Sequence, residues 1–108
     1  DKEMSKIDWE NKDAKEIKNL VRGLNPIMGT YSYLDGKKIK FWKVDVLQED
    51  NSNAENGTVI KADSKEGLYI KAKNGIIKVL EIQGENAKKM SIQDFLRGNK
   101  IEIESKFE

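Results

Sequence analysis

Most of the chain alternates between apolar and polar residues with a period of two, which is typical of strands that are buried on one face. The alternation predicts five strands, at residues 30–34, 37–47, 58–63, 68–73 and 76–83. Asp35-Gly36 and Asn74-Gly75 each separate two of these strands, and both dipeptides favour two-residue hairpin turns. The pattern therefore predicts two β-hairpins, with the strand 58–63 between them in the chain.

A helical period of 3.6 residues occurs in only two places. The first follows Asp13, which forms a capping-box pattern with Glu16, and Pro26 marks its end. The apolar stripe of this helix consists of Ala14, Ile17, Leu20, Val21 and Leu24. The second helix is short, with Ser91 as its predicted N-cap and Gly98 at its end.

Two of the predicted strands change phase partway along. In the longest one, Ile39 and Val44 have opposite parity, so a continuous apolar face requires a β-bulge near Trp42–Lys43. The strand 76–83 changes phase in the same way after Val79. Bent strands suit a curled sheet, so we expect a mainly β fold: an OB-like five-stranded curled barrel with an N-terminal helix and a short C-terminal helix.

Composition excludes several classes of function. The 108 residues suffice for one domain, and they include no cysteine and no histidine. Disulfides, thiolate nucleophiles and imidazole bases are therefore excluded. No apolar run is long enough to span a bilayer, and the first residue is Asp1, which suggests a piece of a longer protein. We predict no catalytic, cofactor-binding or metal-binding residue, since Glu102 and Glu104 alternate with Ile101 and Ile103 as in a solvated edge strand.

The lysines of the first hairpin are the strongest candidates for binding. Four of them fall within seven residues that contain no acid: Lys37, Lys38, Lys40 and Lys43. With Asp35-Gly36 as the turn, Tyr33 faces Lys38 and Tyr31 faces Lys40. Cations interleaved with aromatic rings are typical of surfaces that bind single-stranded nucleic acid. The alternative is that these lysines only keep a strand soluble.

The second hairpin suggests a further basic patch. With Asn74-Gly75 at its tip, Lys71 is expected directly opposite Lys78, where two like charges repel. Together with Lys73, these residues are predicted to form a surface that faces phosphate.

A series of short motifs, in order along nearly the whole chain, resembles the C-terminal domain of the methionyl-tRNA formyltransferase family. The motifs are Ile7-Asp8-Trp9, Arg22-Gly23-Leu24-Asn25-Pro26, Leu34-Asp35-Gly36, Ile39-Lys40-x-Trp42-Lys43, Leu80-Glu81-Ile82-Gln83, Lys88-Lys89-Met90 and Asp94-Phe95-Leu96-Arg97-Gly98. Met28 stands where the family commonly has a second proline. The resemblance implies that residues 1–6 are the remnant of an interdomain linker and that residues 7–108 are a single C-terminal OB-like domain, without the catalytic N-terminal domain.

The resemblance also implies a function and partners. Members of the family transfer a formyl group from 10-formyltetrahydrofolate to the amino group of methionine on initiator tRNA. Catalysis belongs to the N-terminal domain, so this fragment is expected to bind no cofactor and to help hold the tRNA. Its expected partners are the initiator tRNA charged with methionine and the parent's own catalytic domain, in a cytoplasmic monomer that contacts no membrane.

The residues predicted to bind tRNA are Lys37, Lys38, Lys40, Lys43, Lys71, Lys73, Lys78, Lys88, Lys89, Arg22, Arg97, Tyr31 and Tyr33. For Arg22 and Arg97 the alternative is a structural role at helix C-termini, where cations are favourable. The alternative for the whole chain is a structural or substrate-shaping domain. Such a domain would belong to a related formyltransferase that acts on nucleotide sugars, or to a formyltetrahydrofolate hydrolase.

Overall fold

The structure is a computed structural model that describes residues 5–24, 28–48 and 53–108. Its elements are α1 (Ala14–Leu24), β1 (Thr30–Leu34), β2 (Lys37–Leu47), β3 (Val59–Asp63), β4 (Gly67–Ala72), β5 (Gly75–Gln83), β6 (Met90–Ser91) and α2 (Ile92–Gly98). The sheet is antiparallel with the order β1-β2-β5-β4-β3, and the short β6 also pairs with β5. The prediction of a mainly β, curled OB-like fold is confirmed, with β6 as a strand that the alternation did not predict.

Helix α1 is held at its start by the predicted capping box. The Glu16 N–H donates to Asp13 Oδ1 at 2.8 Å, and the Asp13 N–H donates back to Glu16 Oε1 at 3.1 Å. Its apolar stripe packs mainly against β2, and Ile17 and Val21 are buried there. The helix ends at Leu24, and Pro26 lies outside the described residues.

The first hairpin has the predicted register. Tyr33 pairs with Lys38 and Tyr31 with Lys40. Asp35 and Gly36 have φ angles of 52° and 78°, the left-handed values that a type I′ turn requires at both central positions. Because the turn sets the register, it places both tyrosines and both lysines on one face.

The bulge predicted near Trp42–Lys43 is present. The ladder between β2 and β5 passes from Phe41 to Lys43 on one strand and from Glu81 to Val79 on the other. Each strand therefore holds one extra residue at this point, which explains why the apolar parity of both strands changes. The bulge bends the sheet beside α1.

The second hairpin does not have the predicted register. Lys71 pairs with Ile76, and Lys78 pairs with Tyr69. The prediction that Lys71 lies opposite Lys78 is therefore wrong. The outermost pair of the hairpin is Ala72 with Gly75, so the turn is Lys73-Asn74 and not Asn74-Gly75.

The reason is that the start of α1 packs on the tip of this hairpin. The Ala14 N–H donates to the Lys73 carbonyl at 2.8 Å. A Cβ atom on Gly75 would lie 3.0 Å from Ala14 Cβ, so this glycine permits the close approach of the helix. Asn74 supplies the left-handed residue of the turn, with φ at 58°.

The expected edge strand at residues 101–104 is not formed, so that prediction is wrong. Ile101 is buried and Ile103 is 58% exposed, and Glu104 turns the chain with φ at 76°. Alternation of apolar and acidic residues does not separate an edge strand from a short turn.

The C-terminal segment, residues 104–108, instead bridges β3 and β1 with backbone hydrogen bonds. The Phe107 N–H donates to the Gly57 carbonyl at 2.8 Å, and Glu108 exchanges two hydrogen bonds with Tyr33 at 2.7 and 2.8 Å. The Phe107 ring is 1% exposed and lies 5.3 Å from the ring centroid of Phe41. The segment therefore covers the open side of the sheet and completes the core.

The two remaining ends of the fold are also tied down. The Ile7 N–H donates to the Tyr31 carbonyl, and the Tyr31 N–H donates to Ser5, both at 2.9 Å. Helix α2 begins at the predicted N-cap, where Ser91 Oγ accepts from the Asp94 N–H at 3.1 Å. Neither helix in the described part of the chain has the length and the apolar character of a membrane span.

Candidate nucleic-acid interface

The outer side of the β1–β2 hairpin brings three aromatic rings and four lysines together. Tyr31 and Tyr33 lie on β1 with ring centroids 5.6 Å apart and ring planes at 83°. Trp42 follows them on β2 at the bulge. We call this surface the aromatic–lysine face; its residues are Tyr31, Tyr33, Trp42, Lys6, Lys38, Lys40 and Lys89.

Each lysine of this face places its ammonium group over a ring. Lys38 Nζ lies 4.3 Å from the centroid of Tyr31, and Lys6 Nζ lies 5.6 Å from that of Tyr33. Lys40 and Lys89 lie 5.6 and 4.8 Å from Trp42. All four distances fall within the range of about 6 Å for cation–π contacts. The surface is therefore both aromatic and positively charged.

The sequence analysis missed two residues of this face: Lys6, which precedes β1 in the chain, and Trp42. The Trp42 ring is 9% exposed, and its Nε1–H donates to Gln83 Oε1 at 2.9 Å. A Cβ atom on Gly29 would lie 2.9 Å from the ring, so this glycine leaves the space that the indole fills. The change of phase at Trp42–Lys43 was the available signal, because a bulge re-aims the side chain at its centre.

The four lysines of the aromatic–lysine face lack acidic partners in the described part of the chain. None of them lies within 4.0 Å of a carboxylate there, whereas Lys18, Lys61, Lys100 and Lys106 each form an ion pair. Two acidic residues border the face: Glu85 Oε2 accepts from the backbone N–H of Lys38 at 3.0 Å, and Glu108 pairs with Tyr33 through two backbone hydrogen bonds. The ammonium groups are therefore available to an external anion.

The second hairpin carries cations in a more neutralised setting. The ring of Tyr69 lies between Lys61 and Lys78, at 5.3 and 5.8 Å. Lys61 pairs with Glu66 at 3.2 Å, and Lys78 pairs across the sheet with Asp45 in the β2–β5 register. Lys73 is exposed in the turn. Lys71 donates from Nζ to the Ala72 carbonyl at 2.8 Å.

The other predicted site residues make no ring contact in these two clusters, within the described part of the chain. Arg22 donates to Asn19 Oδ1 at 3.1 Å, and Arg97 pairs with Asp94 at 2.6 Å. Lys43 is exposed on β2 and sits across the sheet from Glu81. An open groove of about 560 Å³ lies beside the contact between α1 and β2 and includes Trp42 of the aromatic–lysine face; its lining residues are Lys18, Val21, Arg22, Trp42, Lys43, Val44 and Glu81. Lys37 and Lys88 are exposed and directly precede Lys38 and Lys89 in the chain, but they make no contact with the rings of the aromatic–lysine face.

The Asp45 carboxylate offers a test of the electrostatics beside this groove. Its hydrogen bond from Lys18 Nζ, at 3.0 Å, lowers the pKa of Asp45 below the ordinary value of 3.8. The pKa of Asp45 is lower in the folded state than in the unfolded chain. The contact therefore stabilises the fold at pH values above the ordinary pKa, and this contribution is lost as the pH falls through the pKa of the folded state. We expect an NMR titration to place the Asp45 midpoint below 3.8, and Lys18→Met to raise it. An unchanged midpoint in Lys18→Met would contradict the contact.

Within residues 5–24, 28–48 and 53–108, no group of three or more acidic side chains is placed to hold a metal ion. Every buried polar side-chain atom there also has a hydrogen-bond partner. The arrangement offers binding groups for an anion and aromatic surface, and we assign it no bond-making step.

Comparisons with known proteins place the chain in a family. Residues 1–100 match the model of the formyl transferase C-terminal domain. Similar curated proteins include the methionyl-tRNA formyltransferases of Clostridium novyi (strain NT), 47% identical over 97% of this chain, and of Caldanaerobacter subterraneus subsp. tengcongensis, 43% identical over 93%. The chain spans 33% and 31% of those two proteins, about a third of their length.

A solved structure supports the fold alone. HypX from Aquifex aeolicus, in complex with tetrahydrofolic acid, superposes with a TM-score of 0.69 at 18% identity, over 96% of this chain and 21% of that one. A variant of the same protein gives 0.70. The matches in sequence and in fold agree, and this chain belongs to the formyl transferase C-terminal domain family.

Proposed function

We propose that this chain is the tRNA-positioning C-terminal domain of a methionyl-tRNA formyltransferase. The parent enzyme transfers a formyl group from 10-formyltetrahydrofolate to the amino group of methionine on initiator tRNA in the cytoplasm. The names of the relatives support this activity, and the chain matches about a third of their length. We assign catalysis and folate binding to the rest of the enzyme, consistent with the absence of histidine and cysteine here.

The observation that carries the proposal is the aromatic–lysine face. Its four ammonium groups have no carboxylate within ion-pair distance among the described residues. Each phosphate that a lysine neutralises releases counterions, so four contacts give log K against log salt a slope of about −3 to −4. With a net charge of +1, binding depends on this local cluster and not on the overall charge.

Charge reversal in the full-length enzyme tests the proposal. We expect Lys38→Glu combined with Lys40→Glu to raise KM for charged initiator tRNA about tenfold, since two exposed ion pairs contribute about 0.5–1 kcal/mol each. The value of kcat should stay close to that of the wild type, because the lost contacts hold the tRNA equally in the ground state and in the transition state. The salt slope should also become shallower by about two.

The matched control reverses the same number of charges elsewhere. Lys65 and Lys100 are exposed near β3, at the opposite edge of the sheet from β1. Lys65→Glu combined with Lys100→Glu should leave KM for tRNA almost unchanged. If both double variants behave alike, the aromatic–lysine face does not position tRNA, and a structural or substrate-shaping role for the domain becomes the better explanation.

A further inference from the structure

We infer that the aromatic–lysine face binds an unpaired RNA nucleotide, with the base stacked on Tyr33 and the adjoining phosphates held by the neighbouring lysines. This inference rests on the proposed function, because it names the part of the RNA that the face takes. Tyr33 is the ring of the face that is most open to solvent, at 36% exposed, whereas Tyr31 is half-buried and Trp42 is 9% exposed. An incoming base therefore meets Tyr33 first.

Tyr31 and Tyr33 form a right-angled corner on the hairpin. Their ring centroids are 5.6 Å apart and their planes meet at 83°. Bases inside a double helix are stacked on one another and present only their edges, so they cannot lie flat against a protein ring. An unstacked base can lie flat on Tyr33 beside the wall that Tyr31 makes. The corner therefore favours an unpaired nucleotide over a base pair.

Lys6 can leave its cation–π contact with Tyr33 and bind a phosphate instead. Lys6 Nζ lies 5.6 Å from the centroid of Tyr33, near the outer limit of a cation–π contact. Stacking of a base on an aromatic ring stabilises a complex more than an exposed cation–π contact does. A base is therefore expected to displace Lys6 from the ring. The displaced ammonium then lies beside the phosphates that flank that base.

Lys38 completes the arrangement on the other ring. Its Nζ lies 4.3 Å from the centroid of Tyr31, so the stronger cation–π contact occupies the more buried tyrosine. Lys38 is also the cross-strand partner of Tyr33. The Lys38 ammonium group therefore lies beside the ring of Tyr33 on which the base stacks. There it can bind a phosphate attached to the sugar of that nucleotide.

Tyr69 provides an internal comparison. It also has two lysines over its ring, at 5.3 and 5.8 Å. Here, however, Lys61 pairs with Glu66 at 3.2 Å, so its charge is already compensated and the neighbouring carboxylate would repel a phosphate. The ring itself is half-buried. The same residue types in this setting are not expected to bind a nucleotide.

The experiment measures binding of the full-length enzyme to two RNA probes by fluorescence anisotropy: an oligouridylate of about twelve nucleotides and a duplex of the same length. We expect Tyr33→Ala to weaken binding of the single strand about tenfold, a loss typical of one base–aromatic stack, and to leave the duplex unchanged. Tyr33→Phe should retain wild-type binding because the ring remains. Tyr69→Ala should change neither affinity. Thermal melting of each variant establishes that it is folded.

The base-stacking inference and the proposed function are contradicted by different results. If Tyr33→Ala weakens the single strand no more than Tyr69→Ala does, or weakens the duplex equally, the inference of base stacking is wrong. In that case a raised KM for tRNA in the Lys38→Glu, Lys40→Glu enzyme would still support the proposed function. If that charge-reversed enzyme also binds both probes and charged tRNA like the wild type, the proposed function falls together with the inference.

Discussion

Replacing Gly57 with alanine is expected to destabilise the fold by about 2–5 kcal/mol. Gly57 has φ at 94°, and a left-handed backbone costs a residue with a Cβ atom about 1–2 kcal/mol. The added Cβ would also lie 2.6 Å from the backbone carbonyl oxygen of Phe107. Relief of that clash requires the C-terminal segment to move, at a further cost of about 1–3 kcal/mol. Urea denaturation at a constant m value measures the loss.

Gly36 supplies the matched control for this prediction. It has a similar φ of 78°, but a Cβ atom there meets nothing within 4 Å. Gly36→Ala should therefore show the backbone penalty alone, and Gly57→Ala should lose clearly more. Equal losses in the two variants would mean that the C-terminal segment yields without cost, and that it is not held against β3 as described.

The second large effect is expected for Phe107→Ala. The side chain is 1% exposed and packs against the rings of Phe41 and Trp9, at centroid distances of 5.3 and 6.4 Å. Truncation of a buried phenylalanine costs about 3–5 kcal/mol, through lost burial and the cavity that remains. This is a large part of the stability of about 5–15 kcal/mol that is typical of a small domain. Chemical denaturation should detect it directly.

Ile103→Ala is the control in the same segment. Ile103 is 58% exposed, and substitutions at such surface positions usually change stability by about 0.5 kcal/mol or less. A comparable loss in Ile103→Ala and Phe107→Ala would contradict the burial of Phe107. Together with the glycine pair, these variants separate the contribution of the aromatic ring from that of the backbone contact.

The features predicted correctly from the sequence are those with local causes. Asp35-Gly36 fixes the first hairpin because both residues tolerate the left-handed backbone that the turn needs. The capping box of α1 and the N-cap of α2 depend on residues three apart in sequence. The change of apolar parity predicted the bulge because the sheet has only one core face.

The features that were missed depend on contacts between distant parts of the chain. The register of the second hairpin is set by the start of α1, through Ala14 against Gly75, and no turn rule contains that contact. The C-terminal segment pairs with two strands in short stretches, which leaves no sustained period in the sequence.

The candidate site was predicted in its centre and missed at its margins. Tyr31, Tyr33, Lys38 and Lys40 follow from the first hairpin alone. Lys6 joins them because residues 5–7 pair with β1, although residues 1–6 were predicted to be a linker remnant. That linker assignment stays a prediction, and residues 1–4 lie outside the described part of the chain.

The two extra residues at the bulge, one on β2 and one on β5, restrict how these strands can change in length. Trp42 on β2 and Leu80 on β5 are extra residues at the same point, so the register before and after them is the same. Loss of one alone would turn every later side chain of that strand to the opposite side of the sheet. Loss of both residues would leave the core-facing and solvent-facing side chains of the two strands as they are. Insertions and deletions at this place should therefore arise as coordinated pairs across two distant stretches of the gene.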